Sequence, residues 1–160
     1  MIKSGGSFFF GETRYTIGAI LSINGRTYIA AAAHIFHKTG NRVQVNGREG
    51  IMKRFLEDFD VALIELPSGC EAHITELGNA VVMEDALLIN EQHSIACRVI
   101  RAGTSLLSLL FPCFDMPQPG DSGSPIEQEG KVIGLLSSVM LSNCTGTAVS
   151  SEVFRNLSFY

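Results

Sequence analysis

The sequence predicts an all-β fold, and three observations carry that expectation. Apolar residues fall in runs of about four to eight, the usual length of strands. Those runs are separated by turn-forming residues, and the chain holds 16 glycines. Two Asn-Gly pairs, Asn24-Gly25 and Asn46-Gly47, suit the positive φ angles of tight hairpins. A barrel or a sandwich meets all three better than a helical bundle does.

Taken in order, Phe8-Phe9-Phe10 reads as a strand with one buried face. "YTIGAILSI" and "RTYIAAAA" flank the first Asn-Gly; "RVQV" and "EGIMKRF" flank the second. "DVALIEL" follows and is stopped by Pro67-Ser68-Gly69. Further strands are expected in "AVVMEDALLIN", "HSIACRVIRAG", "TSLLSLLF", "SPIEQEG" and "KVIGLLSSVML", with Glu127–Gly130 as a polar hairpin. Only the closing "SSEVFRNLSFY" has helical spacing, with Val153, Phe154 and Leu157 on one side. The best boundary is Pro67–Cys70, giving an N-terminal unit 1–70 and a C-terminal unit 71–160, each with strands enough for a small barrel.

Bulk properties exclude several classes. With 46% apolar and 18% charged residues in 160, the chain has the material for a core and is not a disordered segment. A net charge of −4 and scattered Lys and Arg argue against a nucleic-acid partner. No apolar stretch is long enough to span a bilayer, so no membrane partner is expected. "SGGSFFFGE" after Lys3 lacks the apolar length of a signal peptide, which points to the cytoplasm or to a processed, virus-encoded product. Cys70, Cys97, Cys113 and Cys144 form no C-x-x-C pair; they are expected as free thiols in a reducing compartment, and no disulfide is assigned. His37 lies three residues after His34, but no further ligand cluster accompanies them, so neither metal nor cofactor is expected. His73 and His93 have no motif around them, and nothing in the sequence sets the oligomeric state.

Three segments carry chemistry. In Pro119-Gly120-Asp121-Ser122-Gly123-Ser124-Pro125, glycines flank a serine and let backbone N–H groups approach a reacting carbonyl. The same composition also makes an ordinary β-turn. Ala31-Ala32-Ala33-His34 places an imidazole after small residues, where it is uncrowded and able to serve as general base. In Asp58-Phe59-Asp60-Val61, Asp60 opens an apolar strand, so its carboxylate is expected to be buried beside the histidine; Asp58 reads as a solvated loop acid. The order along the chain is His, Asp, Ser, which differs from that of α/β-hydrolases and subtilisins.

"AAAHIF", "DVAL" and "GDSGSP" resemble the three signature segments of the trypsin/chymotrypsin family of serine peptidases, and "GKVIGLLSS" resembles the strand after its nucleophile. The resemblance runs from about Gly18 to Leu157. It implies two antiparallel six-stranded β-barrels with a short C-terminal helix, in a compact bacterial or viral version. It also implies a serine endopeptidase acting on protein or peptide substrates through an acyl-enzyme. In that mechanism His34, Asp60 and Ser122 form the triad, and the backbone N–H groups of Gly120 and Ser122 form the oxyanion hole.

Departures from the family pattern refine these expectations. Ile35 stands where many members have a disulfide cysteine. With no activating cut evident, Asp121 needs a partner other than a new N-terminus, such as a backbone N–H or a basic side chain. Met116 occupies the position of the acid that selects Lys or Arg, and Leu136 that of the histidine that selects Glu or Gln. Ser137 and Ser138 would run along the substrate backbone, and Val139 would narrow the pocket, implying a small or medium uncharged residue before the cut. Under oxidising conditions Cys113 and Cys144 could approach each other near the pocket. Asn143-Cys144-Thr145 and Asn156-Leu157-Ser158 match the glycosylation pattern, but without a secretion signal they read as chance. A silent protease-fold binding module is the alternative function; an esterase is disfavoured by chain order and by the lack of a Gly-x-Ser-x-Gly elbow.

Overall fold

The computed structural model describes residues 1–36 and 40–157. His37, the second histidine of the metal reading, lies outside them, as do Ser158 and the last residues of the expected helix. Among the described residues, thirteen strands form two sheets and one short α-helix follows them. No described helix is long and apolar enough to cross a membrane.

The first sheet contains β1 (Ser7–Phe10), β2 (Thr13–Thr16), β3 (Ala19–Ile23), β4 (Arg26–Ala32), β5 (Arg42–Val45), β6 (Arg48–Leu56) and β7 (Val61–Glu65). Their order is β2-β1-β5-β6-β7-β4-β3, every pairing antiparallel. Both Asn-Gly pairs make the expected hairpins: φ is 51° and 79° at Asn24 and Gly25, and 49° and 76° at Asn46 and Gly47. Alternation along β5 buries Val43 and Val45 and exposes their neighbours, as a half-buried strand requires.

The sheet's two ends, β2 and β3, are consecutive pieces of one run interrupted at Ile17–Gly18. Ile17 donates its N–H to Gly6 O at 2.8 Å and so extends the β1 pairing. Gly18 donates to Ala30 O at 2.9 Å and begins the β4 pairing. The sheet is therefore strongly curled and bends back on a single strand, forming the half-barrel that stands beside the closed one. Gly18 is where the bend needs space: a Cβ there would lie 2.6 Å from Gly123 O and 2.8 Å from Ala30 O.

The second sheet is a closed barrel of β8 (Asp85–Ile89), β9 (Ser94–Ala102), β10 (Leu106–Leu110), β11 (Pro125–Gln128), β12 (Lys131–Met140) and β13 (Thr145–Ser150). Leu88, Val99, Leu109, Ile126 and Ile133 fill it. Leu21, Leu63, Leu135, Val149 and Phe154 belong to a cluster that joins it to the first sheet. Burying side chains of this size stabilises by roughly 1.5–3 kcal/mol each. Helix α1 (Ser151–Arg155) follows, capped by Ser150 Oγ accepting from the Glu152 N–H.

Between the sheets, the connector 66–84 is hydrogen-bonded to both. Ile2 donates to Glu71 O, His73 to Ile2 O and Thr75 to Ile20 O, while Gly78 donates to Val132 O and Val132 to Glu76 O. Ser151 Oγ donates to Gly78 O at 2.5 Å, and Arg155 to Leu77 O at 2.9 Å.

One cysteine expectation needs correcting. Cys113 and Cys144 are bonded in a disulfide, while Cys70 and Cys97 are free. Spacing alone does not fix connectivity. Cys144 sits in the β12–β13 turn, where its carbonyl accepts from the Phe111 N–H at 2.8 Å and so brings it beside the Cys113 segment.

Candidate active site

β4 ends at Ala32, and Ala33–Phe36 winds into a short 3₁₀ turn. Ile35 and Phe36 are buried in the first core, which anchors the turn and leaves His34, just before them, exposed. Opposite, Ala33 donates its N–H to Asp60 O at 2.9 Å. Asp60 is left-handed, with φ 55° and ψ 42°, at the end of the 3₁₀ turn Glu57–Phe59. Asp tolerates this region better than bulkier residues do. The conformation ends the turn and starts β7 with the carboxylate facing the histidine.

His34 Nδ1 and Asp60 Oδ2 are 2.7 Å apart. A carboxylate only accepts, so Nδ1 carries the proton of this hydrogen bond. The pair is more open than expected for Asp60: the side chains are 54% and 37% exposed.

The third segment meets this pair through glycine. A Cβ on Gly123, whose φ is +85°, would lie 3.0 Å from Ala32 N, so the loop presses against the end of β4 two residues before His34. Gly123 donates to Leu136 O at 2.7 Å, and Leu136 donates to Ser124 O at 2.9 Å. Asp60, Gly123, Leu136 and Ser137 border one small cavity of about 10 Å³. Ser122 is part-buried beside them. Within the loop, Asp121 donates to Gln118 O and Ser124 to Asp121 O. Among the described residues, neither the Gly120 nor the Ser122 N–H donates to a backbone carbonyl.

Asp121 is 2% exposed. Its Oδ1 accepts from His93 Nε2 at 2.7 Å and Asn90 Nδ2 at 3.0 Å; its Oδ2 accepts from the Gln118 N–H at 2.7 Å. The partner expected for it is thus both a backbone N–H and a ring. Sequence reasoning passed over Asn90 and His93, since each lies about thirty residues away with no motif of its own; the one usable signal was an acid predicted to need a partner.

Of the remaining predicted residues, Leu136, Ser137, Ser138 and Val139 lie along β12. Leu136 is buried in the barrel core and meets the Ser122–Ser124 segment through its backbone, whereas Ser138 and Val139 are exposed and Ser137 part-buried. β11 pairs with β12 only as far as Leu135, so from Ser137 onward that edge of β12 carries no ladder partner among the described residues. Met116 packs against the barrel core. Beside Gly120 opens a polar cavity of about 230 Å³ bordered by Arg14, Thr16, Asn90 and Gln92. A larger apolar one, about 620 Å³, lies on another face against Leu87, Ala96, Cys97 and Leu110. There burial pushes the Cys97 thiol up to about 12, with the Asp85 charge adding to the effect.

No family model matches the chain, and no curated protein matches it by sequence. Solved structures do. A Nocardiopsis protease superposes with TM-score 0.72 at 16% identity, covering 95% of this chain and 92% of that one. Cellulomonas bogoriensis chymotrypsin gives 0.66 at 17%, covering 93% and 90%. A human pathogenic astrovirus serine protease gives 0.64 at 22%, covering 94% and 91%. The curled sheet, the closed barrel and the C-terminal helix are thus arranged as in these proteins, and the chain has the chymotrypsin-like serine protease fold.

Proposed function

We propose that this chain is a serine endopeptidase, with Ser122 as nucleophile, His34 as general base and Asp60 orienting the ring. The observation that carries the reading is the 2.7 Å His34–Asp60 pair next to the glycine-rich Ser122 loop, on a protease fold. His34 takes the Ser122 proton as the hydroxyl attacks a peptide carbonyl, then delivers it to the leaving amine. Asp60 stabilises the imidazolium without becoming protonated. The N–H groups of Gly120 and Ser122 hold the oxyanion, and water hydrolyses the acyl-enzyme by the reverse sequence.

The open edge of β12 beyond Ser137 suits an extended substrate backbone pairing as an added strand. On this reading the unit 1–70 supplies His34 and Asp60, and 71–160 supplies Ser122 and the pocket. Met116, Leu136, Ser137, Ser138 and Val139 border that pocket. With Met116 uncharged and Val139 at its mouth, it takes a small or medium uncharged residue.

The test is labelling by a fluorophosphonate, comparing the parent with Ser122→Ala and His34→Ala. Labelling of the parent that both variants lose is the expected result; a folded parent that does not label refutes the assignment and favours a silent binding module. A peptide-library profile checks the pocket, and efficient cleavage after Arg, Lys or Glu refutes that part.

A further inference from the structure

We propose that Asn90 and His93, in the turn between β8 and β9, are positioning residues that hold the Gly120–Ser122 backbone in oxyanion-binding shape. The inference rests on the reading of Ser122 as nucleophile. Asp121 lies between the two residues assigned as oxyanion donors, so whatever fixes its side chain constrains the peptide on either side. That side chain is buried, and both of its oxygens are occupied.

The turn supplying two of the donors is itself ordered. Asn90 Oδ1 accepts from the N–H groups of Gln92 and His93, at 2.9 and 3.1 Å. This leaves Asn90 Nδ2 to donate, and it reaches both Asp121 Oδ1 and Ser124 Oγ at 3.0 Å. The amide thus bridges the residues on either side of the Ser122–Gly123 pair. Asn90 N–H donates in turn to His93 O at 3.1 Å, closing the turn around the ring. His93 Nε2 must be the protonated nitrogen, because the carboxylate it meets only accepts. Without that N–H, a buried carboxylate loses a close donor and is drawn toward water, carrying Gly120 and Ser122 with it.

These residues touch neither substrate nor the reacting atoms, so their loss should act on the chemical step. Ground-state binding along β12 does not use Asp121. Removing an oxyanion donor costs about 10²–10³ in kcat, and loosening the loop that carries two should cost about tenfold or more.

The experiment measures kcat and KM on a peptide chosen from the library profile, with rates normalised to Ser122 titrated by the fluorophosphonate. His93→Leu is expected to lower kcat about tenfold or more with KM within about twofold, and His93→Gln, which keeps a side-chain N–H, to restore most of it. His93→Ala adds a second readout, since the ring is part-exposed and leaves a site that dissolved imidazole can enter: imidazole should raise its kcat. A parental kcat in His93→Leu, or no response of His93→Ala to imidazole, overturns the assignment. A parent without Ser122-dependent turnover overturns instead the nucleophile reading beneath it.

Discussion

Gly18→Ala tests the contact between the first sheet and the Ser122–Gly123 loop. The added methyl would start 2.6 Å from Gly123 O, 2.6 Å from Leu135 Cδ1 and 2.8 Å from Ala30 O. Leu135 can rotate, but the two carbonyls cannot yield so cheaply. Ala30 O accepts Gly18's own N–H at 2.9 Å, and the Gly123 N–H is held by Leu136 O at 2.7 Å. Reaching ordinary C···O contact near 3.3 Å requires backbone shifts of roughly half an ångström on both sides. Overpacking costs about 1–3 kcal/mol, and two backbone obstacles put this site in the upper part of that range. For a chain of this size, each kcal/mol moves Tm by about 2–4 °C, so a drop of roughly 5–10 °C is expected. Gly11→Ala is the control: its φ is +64° with nothing within 4 Å, so it bears only the left-handed penalty of about 1 kcal/mol. Thermal unfolding of both variants decides the matter. Gly18→Ala melting at or above Gly11→Ala refutes the packing argument, and the labelling rate of its folded fraction should fall too, because the displaced Gly123 follows Ser122.

Asp60→Asn should leave the fold intact and lower kcat by about 10³–10⁴, since the amide presents its N–H to the ring and favours the wrong tautomer; steady-state kinetics checks this. Replacing Cys113 and Cys144 together by serine opens a bridge spanning 31 positions; the chain-entropy model gives a loss of about 3–4 kcal/mol, read by urea unfolding. Cys97, with its thiol pushed up to about 12 from 9.0, should resist iodoacetamide at pH 8 in the folded chain and react in the denatured one, as peptide mapping would show. The same shift has a stability consequence. Its contribution is complete below pH 9 and lost as pH rises toward 12, because the unfolded thiol ionises first; a Cys97→Val chain should show a shallower alkaline decline.

The turns were the most legible part of the fold. Asn-Gly dictates its own backbone, so the β3–β4 and β5–β6 hairpins follow from two dipeptides. Where hydrophobicity was the only guide, the reading went too far or fell short. "AVVMEDALLIN" is a strand only over its second half, because Val81, Val82 and Met83 are exposed, with Met83 turned to φ 69°. β13 is a run of Thr, Gly, Ala and Val, too weakly apolar to announce itself, though it pairs with strands on both sides. For the candidate site, the three motifs and their order were readable along the chain. The left-handed backbone at Asp60 was not, nor was the reach of His93 to Asp121, since both depend on partners that only the folded chain assembles.

The connector between the sheets behaves as a strut. Its backbone is fastened to Ile2 and Ile20 on one side and to Val132 on the other, with side chains of α1 tied to Gly78 and Leu77. Moving the sheets apart would break these bonds together, so the two sheets keep a set spacing, and on the proposed reading a substrate must be accommodated by loop and side-chain adjustment. In hydrogen exchange, the amides of Thr75 and Gly78 should then be as slow as strand amides, though they lie in a segment without a strand of its own.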